Sequence, residues 1–197
     1  PRDMVVPDQF IDRTQGRAAS FFGEGAVAHV AFADPFCQTL SGLLADAAQS
    51  VLPDGRRLHR GGTYLCMQGP AFSTKAESEL YRSWGCDVIG MTNHTEARLA
   101  REAEIAYSTL AMVTDYDCWH PDHDAVTVEM VINNLRANAT TAQQVVRHAA
   151  QAIQKQKPSS PAHSALQNGL LTAPEAVPAA TRQKLDLFTR PYWGAAS

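Results

Sequence analysis

With 197 residues, 45% of them hydrophobic and 19% charged, the chain has enough apolar material for one buried core, which excludes a disordered polypeptide. The net charge of -3 is scattered along the sequence without a basic stripe, and this argues against nucleic acid or an anionic membrane as a partner. No apolar run approaches the roughly 20 residues needed to span a bilayer, and Cys37, Cys66, Cys86 and Cys118 form no Cys-x-x-Cys pair. A soluble, cytoplasmic protein with reduced, mostly buried thiols is expected.

Residues 4–6 read as a strand already under way, running into a loop over residues 7–14, so upstream strands are expected to precede them. Further strands are expected over residues 27–32, 63–67, 88–91 and 105–114, each an apolar β-forming run bounded by Gly, Pro or polar turn residues. Helical patterns fall between most of them: residues 36–51, residues 74–84 with Gly85 at the C-terminal end, and residues 95–103. From Thr127, which with Asp124 is a candidate cap, a long helix places Val128, Val131, Ile132, Leu135, Ala139, Val146 and Ile153 on one apolar face. After a polar, proline-ended break at residues 155–161, two short terminal helices are expected over residues 162–171 and 178–188. Alternating strands and helices without a repeat point to a single α/β domain around a largely parallel sheet.

Three strand ends carry the chemistry. Residues 69–78, GPAFSTKAES, join a strand to a helix: Gly69 and Pro70 shape a turn, Phe72 offers an aromatic face, and Ser73 or Thr74 can cap the helix. By itself that stretch reads first as a capped turn with a core phenylalanine; the sharper reading is a ligand site, because open α/β sheets bind small molecules at the carboxyl ends of their strands. Residues 89–97, IGMTNHTEA, repeat the layout, and Thr92 and Asn93 sit where a helix start can hold an anion; capping by Thr95 is the plainer alternative.

The third, VTDYDCWHPDHD over residues 113–124, crowds acidic side chains and histidines together. If Asp115 and Asp117 face one pocket, as the two-residue period of extended chain allows, mutual repulsion would leave one acid protonated and the other ionised. Such a pair suits adenine, since a protonated Asp can donate to N7 while an ionised one accepts from the amino group. A metal cage built from Asp115, Asp117, His120, Asp122, His123 and Asp124 is the rival, but the spacing matches neither a calcium loop nor His-Glu-x-x-His, so no metal is expected and residues 120–124 read as a solvated loop.

Together, VPDQFIDRT (residues 6–14), DPFC (34–37), QGPAFSTKAES (68–78), the run over residues 84–119 ending in TDYDCW, and the helix beginning at Val126 resemble the 5'-methylthioadenosine phosphorylases over most of the chain. These belong to the trimeric purine nucleoside phosphorylases, and the resemblance implies a nucleoside phosphorylase-like fold with a central mixed β-sheet flanked by helices. It implies phosphorolysis of methylthioadenosine to adenine and 5-methylthioribose 1-phosphate, with phosphate as co-substrate and no cofactor. Asp115 would face N7 as general acid and Asp117 the 6-amino group, with Phe72 and Ser73 beside the base. Met91 would lie under the ribose, Thr92 at phosphate, and Val128, Val131 and Ile132 around the methylthio group, with His29 supplied by a neighbouring subunit of a homotrimer.

Relatives that act on inosine and guanosine usually carry Glu after the Phe of the motif, Asn in place of Asp115 and a His near the 5'-hydroxyl. Ser73, Asp115 and Val128 stand at those positions here, and an apolar Val suits a thioether better. The family's N-terminal third, with its glycine-rich phosphate loop and Arg-His ligands, has no counterpart in these residues, so a working site is expected only together with that portion. The alternatives are a phosphorylase for methylthioinosine or other purine nucleosides, and a non-catalytic truncated subunit.

Overall fold

The computed structural model describes residues 1–120 and 127–196. Its first strand, β1 (Met4–Val6), is three consecutive buried apolar residues, the pattern of a strand covered on both faces. It lies between β3 (Leu58–Arg60), to which it is parallel, and β6 (Ala111–Met112), to which it is antiparallel, with Val5 opposite both His59 and Ala111. A second, all-parallel sheet runs in the order β2 (Gln9–Asp12), β4 (Thr63–Cys66) and β5 (Val88–Gly90), pairing Phe10 with Tyr64 and Leu65 with Ile89. Because these three strands are parallel, the segments that follow them leave from one edge.

Local chemistry sets where the helices begin. The Cys37 thiol accepts from the Leu40 amide at 3.5 Å to open α1 (Gln38–Val51), and Thr127 accepts from Met130 to open α4 (Val128–Gln156). A reciprocal box, in which Thr74 accepts from the Glu77 amide and Glu77 from the Thr74 amide, starts α2 (Lys75–Ser83). The chain leaves α2 through Gly85, whose φ of +77° favours glycine. α1 and α4 pack on the mixed sheet, where Met4, Ala47, Ala48, Val145 and Ala149 form a buried cluster with Leu44, Leu58 and Met112 around it. A smaller cluster of Ala26, Val177 and Leu185 anchors α5 (Ala179–Trp193) against Phe21 and Phe22. No helix among the described residues is long and apolar enough to cross a membrane.

The structure departs from the sequence reading in several places. Residues 9–12 form β2 rather than a loop, and residues 58–60 add β3, a polar edge of LHR whose pairing comes from β1 rather than from its own propensity. Residues 27–32 form no strand: His29 N donates to Gly169 O and Leu171 N to Val27 O, while Arg101 donates to Ala31 O and Asp34 O. Of residues 105–114 only Ala111 and Met112 pair in a sheet, because Tyr107 and Thr109 turn their hydroxyls to Asn93 Oδ1. Residues 162–171 form no α-helix: the 3-10 turn Pro161–Ser164 ends within them and Leu170 bridges to Ala28.

The largest correction concerns α4. Its buried side chains are Asn134, Asn138, Thr141, Val145 and Ala149, whereas Val128, Ile132, Leu135 and Val146 from the expected apolar face are exposed in the single chain. Cys37 and Cys66 are buried, Cys86 and Cys118 half-buried, and all four are free thiols.

Candidate active site

Two loops at the edge of the parallel sheet carry most of the candidate residues. After β4 the chain passes Gly69, whose φ is +66°, and reaches Phe72, which is 52% exposed, and Ser73 before α2. After β5 come Met91 and Thr92, and then α3 (Asn93–Glu102), kinked at its start because His94 and Thr95 leave helical geometry. Thr95 has φ +82° and is no cap, while Thr92 stands just before the helix with its side chain uncommitted to capping. A Cβ on Gly69 would lie 2.6 Å from Met91 Sδ, so the glycine lets the two loops close on each other.

Asp115 and Asp117 lie beyond β6. Asp115 accepts from the Thr114 hydroxyl at 2.6 Å and from the Asp117 amide at 2.8 Å. Asp117, in left-handed backbone at φ +59°, begins the 3-10 turn Asp117–Trp119 and accepts from the Cys118 amide and from the buried Ser78 hydroxyl. The Ser78 bond and a contact from Cys118 Sγ to Ser73 O at 3.7 Å fasten the acidic turn to the loop of Phe72 and Ser73. Arg82 of α2 stacks over the Trp119 ring at 3.6 Å, holding the same seam from outside.

The start of α4 is brought to this seam by two buried amides. Asn134 Nδ2 donates to Thr114 O, and Asn138 Nδ2 donates to Val113 O at 3.3 Å; Arg2 and Arg56 donate to the opposite ends of these amides. Val128, Val131 and Ile132 lie on the first turns of α4, N-terminal to these two amides. The structure thus fastens the turn of Asp115 and Asp117 to the loop of Phe72 and Ser73, and brings that loop at Gly69 against Met91, next to Thr92. His29 is exposed, and no hydrogen bond or ring contact among the described residues joins it to this group.

A buried histidine backs the second loop. His94 Nδ1 lies 3.0 Å from Asp12 Oδ2, with Arg98 3.7 Å from the same oxygen. Burial, opposed by Asp12 and reinforced by Arg98 and Arg17, holds the His94 imidazole below its ordinary pKa. Burial alone would raise the Asp12 carboxyl, but hydrogen bonds from Thr14 and the His94 and Arg98 charges bring it below the usual range.

A separate cleft of about 310 Å³ between β1, β2 and α1, lined by Pro7, Gln9, Asp34, Phe36 and Arg60 among others, contains none of the candidate residues. Of the rival metal set, Asp122, His123 and Asp124 lie outside the described residues, as do the candidate Asp124 cap and Val126. Among the described residues no group of three His, Cys, Asp or Glu is arranged to hold a metal ion. Sequence reasoning missed Arg17, Tyr64, Ser78, Asn134 and Asn138. Their partners are mostly backbone groups distant in the chain, and no local motif marks such contacts.

Parallel strand ends that gather such groups place the chain in a class: an α/β protein with its candidate residues at the carboxyl ends of the strands. The model of the phosphorylase superfamily matches residues 1–151. The chain is 62% identical over 194 residues to an S-methyl-5'-thioadenosine phosphorylase of Prochlorococcus marinus, covering 98% of this chain and 62% of that protein. It is 60% identical to the protein of the same name from Thermosynechococcus vestitus, covering 98% and 66% respectively. A crystal structure of methylthioadenosine phosphorylase sourced from an Antarctic soil metagenomic library superposes with a TM-score of 0.90 at 49% identity, over 95% of this chain and 66% of that one. A Schistosoma mansoni methylthioadenosine phosphorylase in complex with adenine gives a TM-score of 0.72 at 32% identity, over 78% of this chain and 60% of that one. The chain belongs to the phosphorylase superfamily. It spans about two thirds or less of the length of these relatives.

Proposed function

We propose that this chain is part of an enzyme that cleaves S-methyl-5'-thioadenosine with phosphate, giving adenine and 5-methylthioribose 1-phosphate. The observation that carries the reading is the seam between the acidic turn and the GPAFST loop: Ser78 and Cys118 tie Asp117 and its neighbour Asp115 to Phe72 and Ser73. An aromatic side chain on a loop fastened to a turn with two hydrogen-bonding carboxylates suits a purine with an exocyclic amino group. The names of relatives at 62% and 60% identity support the same reaction.

In this mechanism Phe72 and Ser73 hold the base, and Asp117 accepts from its amino group. Asp115 gives its proton to N7, so that adenine leaves as a neutral molecule while positive charge builds on the ribosyl ring. Met91 lies under that ring and Thr92 helps to hold the attacking phosphate beside the start of α3, where helix amides favour an anion. The apolar turns at Val128, Val131 and Ile132 receive the methylthio group. His29 from a neighbouring copy completes the site in a homotrimer working in the cytoplasm, and no cofactor or metal takes part.

The test is a chromatographic assay of the intact enzyme with methylthioadenosine, methylthioinosine and inosine, with and without phosphate. Phosphate-dependent release of adenine, faster than release of hypoxanthine from either competitor, is expected. Faster turnover of methylthioinosine or inosine transfers the assignment to a 6-oxopurine phosphorylase, and release without phosphate removes phosphorolysis altogether.

A further inference from the structure

Arg17 follows β2 and is half-buried, yet its guanidinium serves the ends of the other two parallel strands. Nη2 donates to Gln68 O at 2.7 Å and Met67 O at 3.4 Å, both just past β4, while Nη1 donates to Met91 O just past β5. The Gln15 amide adds a bond to Gln68 Oε1 at 2.8 Å. One side chain therefore bridges the base loop and the Met91–Thr92 turn.

The consequence for Thr92 follows from peptide planarity. The Met91 carbonyl and the Thr92 N–H lie in one plane and point in opposite directions, so a donor that fixes the carbonyl also aims the amide. Tyr64, 6% exposed, brings its phenol oxygen up against Gly90, beside the same turn. Gly90 makes room for it, since a Cβ there would fall 1.9 Å from the phenol oxygen.

We propose that Arg17 and Tyr64 are a positioning pair, Arg17 holding the Met91–Thr92 peptide by its carbonyl and Tyr64 packing against the turn at Gly90, that sets this peptide in register with the base loop, residues 68–73. The proposal rests on the function given above, in which the base loop meets adenine and Thr92 meets phosphate. Neither residue of the pair touches substrate. The fixed fork of a guanidinium can satisfy carbonyls from two loops at once, which the single ammonium of lysine does poorly. A displacement of about 1 Å at a reacting centre costs on the order of 100-fold in rate, so the register matters more than the modest stability of the bonds themselves.

The experiment compares wild type, R17M, R17K and Y64F forms of the intact enzyme in phosphorolysis, adenine binding and amide hydrogen exchange. In R17M, kcat falls about 10- to 100-fold and KM for phosphate rises, while adenine affinity stays within about threefold and the Thr92 amide exchanges faster. Y64F shifts the same readouts in the same direction by less, and R17K does not restore wild-type values. The proposal is overturned if R17M turns over within about twofold of wild type, if R17K restores full activity, or if adenine affinity falls in step with kcat. Absence of phosphate-dependent turnover in wild type sinks the functional reading instead. Thr92 exchange then still decides whether the pair holds this peptide, and unchanged exchange in both R17M and Y64F overturns it.

Discussion

Asp115 and Asp117 differ in what already surrounds them. Both oxygens of Asp117 accept, from the Cys118 amide and the Ser78 hydroxyl, so its direction is fixed by protein donors, whereas Asp115 is anchored through Thr114 and the Asp117 amide. D115N keeps a donor for N7 but no transferable proton, and kcat for methylthioadenosine is expected to fall about 10²- to 10⁴-fold in steady-state assays. Unchanged turnover removes Asp115 as the acid. His94 makes a second prediction at this scale. Its ordinary value is 6.5 and burial lowers it in the folded chain, so the unfolded chain takes up a proton that the folded one refuses. The stability His94 contributes is therefore present above about 6.5 and is lost as pH falls through the window below it. Asp12, lowered from 3.8, acts only in more acid solution. Urea midpoints of wild type should decline from pH 7 to pH 5 relative to those of H94Q; parallel curves would mean that His94 is not the responsible group.

At the scale of elements, short polar devices hold the site. The Thr74 and Glu77 box opens α2 directly after Ser73, so loss of the cap loosens both the helix and the loop before it. T74A is expected to cost about 1 kcal/mol in chemical denaturation, with any rise in KM confined to the nucleoside. The buried amide of Asn134 links α4 to Thr114 O, next to Asp115. N134A leaves that carbonyl and Arg2 without their partner, at a cost of about 1–3 kcal/mol. It also frees the start of α4, so methylthioadenosine should lose more affinity than adenine, which does not reach the 5' end. Equal losses for both ligands, read by calorimetry, would detach Val128, Val131 and Ile132 from the 5' site.

The whole molecule presents Val128, Ile132, Leu135 and Val146 outward along α4, a row of large apolar side chains that a lone copy leaves in water. His29 likewise stands apart from the other candidate residues within one chain. Both fit an assembled enzyme, and sedimentation equilibrium of the intact protein should give three times the mass of one copy. A monomer with full activity would remove His29 from the site.

The α/β alternation, the strands at residues 4–6, 63–66 and 88–90, the helices α1, α2 and α4 and the three strand-end stretches were legible in the sequence. Each is written in local terms, as apolar runs of strand length, caps and turn glycines. Only the tertiary structure decided that residues 27–29 bond to residues 169–172 instead of joining a sheet, and that α4 buries Asn134 and Asn138 while Val128 and Val146 stand exposed. It also decided that Arg17, Tyr64, Ser78 and Asn134 hold the candidate residues together. Periodicity can report that a helix has an apolar face, but which face is buried depends on the hydrogen bonds offered across it. Here the Thr114 carbonyl takes its donor from Asn134, and the Val113 carbonyl, already bonded by the Arg2 amide, takes a second from Asn138, so the asparagines face inward.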